Sequence, residues 1–143
     1  MKFSTRTASR VLAAACLLVS GGIHLHLYFD GYRDFPNRNL GHSFLANVAA
    51  SALVALALLF YSRWPVLLAG VAVADGSLVA FALSRTDKGI FGFNEHGWYP
   101  IPEAALAVSA EIAAAVFLVA LLAWGNDRVR DPSPSAPPSE PNS

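Results

Sequence analysis

Four long apolar runs dominate this chain and leave few folds open to it. They cover residues 11–29, 42–61, 64–84 and 101–124. Each has about 19 to 24 residues, and about 20 suffice for a helix to cross the hydrocarbon core of a bilayer. Inside lipid the backbone must satisfy its own hydrogen bonds, which leaves only helices and closed barrels. The runs lack the alternation of a barrel strand and are rich in Ala and Leu, so they read as helices. Composition points the same way: 14% of residues are charged, against roughly 25% in soluble domains. A soluble domain of this size would have too much surface for so apolar a sequence to cover. The expected fold class is therefore all-α, a membrane four-helix bundle occupying residues 1–125. Residues 126–143, with Pro132, Pro134, Pro137, Pro138 and Pro141 among Ser, Asn and Glu, read as a disordered cytoplasmic tail.

The first run invites comparison with a signal peptide, because Lys2, Arg6 and Arg10 precede it and Ala13-Ala14-Ala15-Cys16 resembles a lipoprotein cleavage site. Only five residues separate Arg10 from Cys16, and an apolar signal core needs about 7 to 15. An uncleaved anchor is the expectation. Cys16 is the single cysteine, so neither an intrachain disulfide nor a C-x-x-C redox pair can form.

Basic residues set the expected orientation. Lys2, Arg6, Arg10, Arg63, Arg128 and Arg130 fall on one side of the four runs, and Arg33, Arg38, Arg85 and Lys88 on the other. The positive-inside bias then places both termini in the cytoplasm, in the plasma membrane. Aromatic belts agree, with Tyr61, Trp64 and Trp124 at the inner surface and Tyr28, Tyr32, Trp98 and Tyr99 at the outer one.

Polar groups within membrane spans are costly, so they carry the functional information. Asp75 lies near the middle of the third run and Glu111 near the middle of the fourth. Counted from the outer ends, both lie roughly 12 to 14 Å deep. The expectation is that they meet and share a proton. Ser43, Asn47 and Ser51 recur every four residues in the second run, and Ser20 and His24 do so in the first, so each forms one stripe on a helix. The expected intramembrane site is Asp75, Glu111, Asn47, His24 and Ser43, with His42 and Glu103 in an outer vestibule. Below the acids the runs offer Leu, Val, Ala and Phe, which predicts an apolar plug and a blind, outward-facing cavity. Structural cross-helix hydrogen bonding is the plainer reading of the Ser and Asn residues.

Four histidines near the outer face, His24, His26, His42 and His96, raise a metal or haem site as a weaker alternative. His24 and His26 lie about 200° apart on a helix and cannot face one ion. No metal or other cofactor is expected. No glycine-rich phosphate loop and no nucleophile elbow is present, and the formal net charge of zero offers no field for nucleic acid. An enzyme is not expected. The expected partners are the lipid bilayer and another membrane protein.

Several segments resemble small four-span membrane proteins of actinobacterial type. They are His24-Leu25-His26-Leu27-Tyr28, Gly31-Tyr32-Arg33, Gly41 with Asn47, Phe91-Gly92-Phe93 through Trp98, and Pro102-Glu103-Ala104 with Glu111. The likeness covers about residues 10 to 125; it implies the four-span architecture and adds no chemistry. The leading functional expectation is a non-enzymatic accessory or scaffold subunit with a polar interior site. A small proton- or cation-linked carrier or channel using Asp75 and Glu111 is the alternative.

Overall fold

The computed structural model describes residues 4–130, and side chains as far as Trp124. Four α-helices account for most of them: α1 (Thr5–Phe29), α2 (Arg38–Phe60), α3 (Trp64–Ser84) and α4 (Glu103–Arg130). Each is long and apolar enough to cross a membrane. Each packs against its chain neighbours, and α4 closes the ring onto α1, as up-and-down connections require.

The helix ends follow local chemistry. Ser4 caps α1, its Oγ accepting from the Thr7 amide at 3.3 Å, and Asn37 caps α2 through its Oδ1 and the Asn39 amide. Pro65 opens α3 in the first turn, where a missing N–H costs nothing. The α2–α3 connection is only Tyr61, Ser62 and Arg63, as short as the sequence implied. The α4 helix continues through Asn126 to Arg130, so helical conformation outlasts the expected start of the tail; the remainder of that tail lies outside the described residues.

The core lies toward the end of the bundle that holds the α2–α3 hairpin. Leu17, Leu58, Leu118 and Leu121 are fully buried there, with Ala13, Ala55, Ala74 and Ala114 between them. Small residues let the helices approach closely. At Gly70 a Cβ would lie 2.8 Å from Leu118 Cδ1 and 3.3 Å from Val54 Cγ1, so α3 needs glycine where it crosses α4. Arg10 ties α1 to the same end: its guanidinium donates to Leu58 O at 2.9 and 2.7 Å and to Leu59 O at 2.8 Å, satisfying carbonyls that the end of α2 leaves free. Outward, Leu53, Phe60, Val79, Val116 and many similar side chains are exposed. Exposed apolar side chains in this number fit a lipid environment.

The other end of the bundle is built differently. The 30–37 loop contains a 3-10 turn (Tyr32–Asp34), and the longer 85–102 loop folds across the ends of the helices. Its turn is held by paired backbone bonds between Ile90 and Phe93. Gly89, at φ +62°, stands where a Cβ would meet Phe93 O at 2.1 Å; glycine alone fits that turn.

Candidate functional site: an interior cavity with a buried carboxyl

A cavity of about 370 Å³ occupies the long-loop half of the bundle. This is near the lower end of the range of small-molecule sites, roughly 300–1,000 Å³. Helical phase explains which residues reach it. From α2 come Leu40, Ser43, Phe44, Asn47 and Ala50, and from α4 Ala104, Ala107, Val108 and Glu111, each set following the three- and four-residue steps of one helix face. His24 and Leu27 represent α1. Gly76 and Ala46 line the cavity and are also exposed, so it opens sideways between α2 and α3.

Glu111 is 2% exposed. Its Oε1 accepts a hydrogen bond from Ser20 Oγ at 2.7 Å, and Ser20 is equally buried. One helical turn along α1, His24 Nδ1 lies 2.9 Å from Ser20 O. A carbonyl can only accept, so Nδ1 carries the proton. In the neutral ring Nε2 is then an acceptor, and Ser77 Oγ, at 3.3 Å, donates to it. This chain of Glu111, Ser20, His24 and Ser77 joins α4, α1 and α3. On α2, Ser51 Oγ donates to Asn47 Oδ1 at 3.2 Å.

A second polar cluster lines the long-loop end of the cavity. Tyr32 OH donates to Glu95 Oε1 at 2.6 Å. The Arg85 guanidinium lies 3.4 Å from Glu95 Oε2, stacks 4.1 Å from the Phe81 ring centre, and donates to Gly97 O and Tyr99 O. The Glu95 amide donates to Ser84 O at 2.9 Å. Burial, and the Glu95 carboxylate accepting its hydrogen bond, push the Tyr32 phenol well above the usual tyrosine range.

Of the residues singled out in the sequence, His24, Ser43, Asn47 and Glu111 converge on this cavity. Asp75 does not. It is exposed on α3 and does not line the cavity, and Glu111 is bonded to Ser20 instead. Depth alone suggested a meeting of the acids, but azimuth decides it: Asp75 is two residues from Ser77, about 200° around the helix. Ser77 faces in, so Asp75 faces out. The outer vestibule also differs from expectation. His42 is exposed and one residue off the α2 lining face; Glu103 is half-buried in the first turn of α4 and does not line the cavity. A carboxylate there faces the positive end of the helix dipole. Tyr32, Arg85 and Glu95 take the vestibule's place. Among the described residues no three His, Cys, Asp or Glu side chains are grouped to hold a metal ion. His26, His42 and His96 are exposed and stand apart from His24's hydrogen bonds.

Ser77 and the Tyr32–Glu95–Arg85 cluster escaped sequence reasoning. Ser77 shares a helix face with Gly70 and Ser84 at seven-residue spacing, a weak signal that was present. Nothing local pairs Tyr32 with Glu95, which are 63 residues apart.

The chain matches no protein-family model, no curated protein and no solved structure.

Proposed function

We propose that this is a non-enzymatic, multi-pass membrane protein that holds a small, largely apolar ligand in its interior cavity. In this reading both termini are cytoplasmic, the membrane is the plasma membrane, and the cavity faces the outer half of the bilayer. One observation carries the reading: apolar walls enclose about 370 Å³ around a few convergent polar groups, with Glu111 at the deep end. Apolar walls with few placed polar groups are the usual build of a small-molecule site.

The hairpin half of the bundle weighs against a channel. Leu17, Leu118 and Leu121 are fully buried below Glu111, and such a plug blocks water and ions. The carrier alternative also loses the second acid of its pair, since Asp75 faces outward. A partner-binding role is favoured by a separate observation. Asp75 is an exposed acid midway along α3, flanked on its helix face by exposed Leu68, Ala72 and Val79. An ionisable group at that depth calls for a protein neighbour, which supports an accessory subunit docked on another membrane protein.

Thiol access tests the cavity reading. In a Cys16→Ser background, Asn47→Cys should react with a small thiol reagent and Leu118→Cys should not. Protection of both sites would remove the cavity, and reaction at both would establish a continuous path and favour the carrier.

A further inference from the structure

The charges around the cavity do not balance, and the imbalance identifies the class of ligand. Four of its lining residues carry acidic or basic side chains: His24, Arg85, Glu95 and Glu111. Arg85 and Glu95 offset each other at the long-loop end, and Arg85 spends its remaining donors on Ser84, Gly97 and Tyr99. His24 is spent on Ser20 O through Nδ1 and on Ser77 through Nε2, and neither ring nitrogen bonds Glu111. Glu111 is left over. Ser20 reaches its Oε1, but among the described residues no cation pairs with it and no protein donor reaches Oε2. Glu111, 2% exposed and lining the cavity, therefore keeps one oxygen without a protein partner among the described residues.

Buried charges are paired or neutralised, so the complement is a monovalent positive charge or a proton. A bare metal ion is a poor occupant. Magnesium and calcium take about six or more oxygen ligands, and among the described residues no three His, Cys, Asp or Glu side chains are grouped to hold a metal ion. Anions are repelled by the carboxylate. A proton serves while the cavity is empty; the ligand that fits is a cation that brings its own apolar body and hydrogen-bond donors.

Building on the cavity-binding reading above, we propose that the cavity takes a monoamine, whose ammonium group donates to Glu111 Oε2 while its hydrocarbon part lies against Phe44, Ala50, Val73 and Ala107. The sideways opening at Ala46 and Gly76 gives an amphiphilic amine a route from the bilayer.

The test uses a matched pair of probes, 4-phenylbutylamine and 4-phenylbutan-1-ol, which differ in the ammonium group. Both are titrated calorimetrically into the full-length protein in phosphatidylcholine nanodiscs, with empty nanodiscs subtracted. The amine should bind saturably and at least about tenfold more tightly than the alcohol, because a hydrogen bond to a charged group is worth that factor or more. Glu111→Gln should abolish the preference while leaving alcohol binding intact. The wild-type comparison stands alone if Glu111→Gln does not fold. Equal binding of amine and alcohol to the wild type would overturn the amine assignment and leave the cavity reading in place. Saturable binding of neither would overturn both. Repeating the titration with phosphatidylethanolamine present distinguishes the amine's source: competition indicates a lipid headgroup, and an unchanged titration indicates a free amine.

Discussion

Two glycines on α3 provide a controlled measure of how tightly the floor of the cavity is sealed. A Cβ at Gly70 would stand 2.8 and 3.2 Å from the two Leu118 methyl carbons and 3.3 Å from Val54 Cγ1. Carbon atoms prefer about 3.5 to 4.0 Å, so the closest contact is short by roughly 0.7 Å or more. Leu118 is fully buried and cannot swing into solvent or lipid. A Cβ at Gly76, by contrast, meets nothing within 4 Å. Gly→Ala gains about 0.8 to 1 kcal/mol of helix propensity at either site, while overpacking costs about 1 to 3 kcal/mol at Gly70 alone. The propensity terms cancel in the comparison. Gly70→Ala should therefore be about 1 to 3 kcal/mol less stable than Gly76→Ala, measured by reversible unfolding of the purified protein in mixed detergent–SDS micelles. Leu118→Ala should relieve most of that difference, because it removes the atoms that collide. Equal stabilities for the two glycine variants, or no relief by Leu118→Ala, would refute the close approach of α3 and α4 below Glu111.

Two further outcomes follow from the long-loop end and from the outward acid. The raised Tyr32 phenol favours the protonated form in the folded state. Its contribution to stability is thus complete below the ordinary tyrosine pKa of about 10 and declines as pH rises beyond it. In an alkaline absorbance titration at about 295 nm Tyr32→Phe should remove a late-ionising step, and an unchanged late limb would refute the buried Tyr32–Glu95 contact. Asp75→Leu should stabilise the isolated bundle, by up to the roughly 2.5 to 3.5 kcal/mol that an acid costs at the centre of a span. Destabilisation of the purified protein by Asp75→Leu would place that side chain in the interior after all.

The sequence disclosed levels along the bundle better than directions around it. Four runs of the right length were sufficient for the helices and the short α2–α3 hairpin. On α1 and α2 the polar residues recur every four positions, so Ser20 with His24, and Asn47 with Ser51, marked the inward faces correctly. The α3 helix gave no such guide. Its residues are apolar nearly all round, so nothing in the pattern said whether Asp75 or Ser77 looked inward. Packing settled the matter: Gly70 and Ala74 are both buried, with Leu118 and Val54 close against Gly70, and this fixes the rotation of α3. The Tyr32–Glu95–Arg85 cluster was illegible for another reason: Tyr32 comes from one loop and Arg85 and Glu95 from another, and loop conformation is decided by tertiary contacts with no periodic signal.

The opposed directions of the two acids are informative about how a chain of this size can combine roles. Glu111 and Asp75 lie at comparable depth, yet one is enclosed with Ser20 and the other is exposed. Retaining an acid inside a span is costly either way, and hydrogen bonding between helices could be had from serine or asparagine at less cost. Glu111 has Ser20 on one oxygen and no protein partner on the other, which on the proposed reading serves an occupant of the cavity. Asp75 is exposed on the outside of the bundle, which on the proposed reading serves a partner. The two are separated by the body of α3, whose Val73, Gly76, Ser77 and Ala80 form one wall of the cavity. A partner docked against Asp75 would press on that wall from behind. On the proposed reading, ligand and partner would then be coupled through the rotation of a single helix.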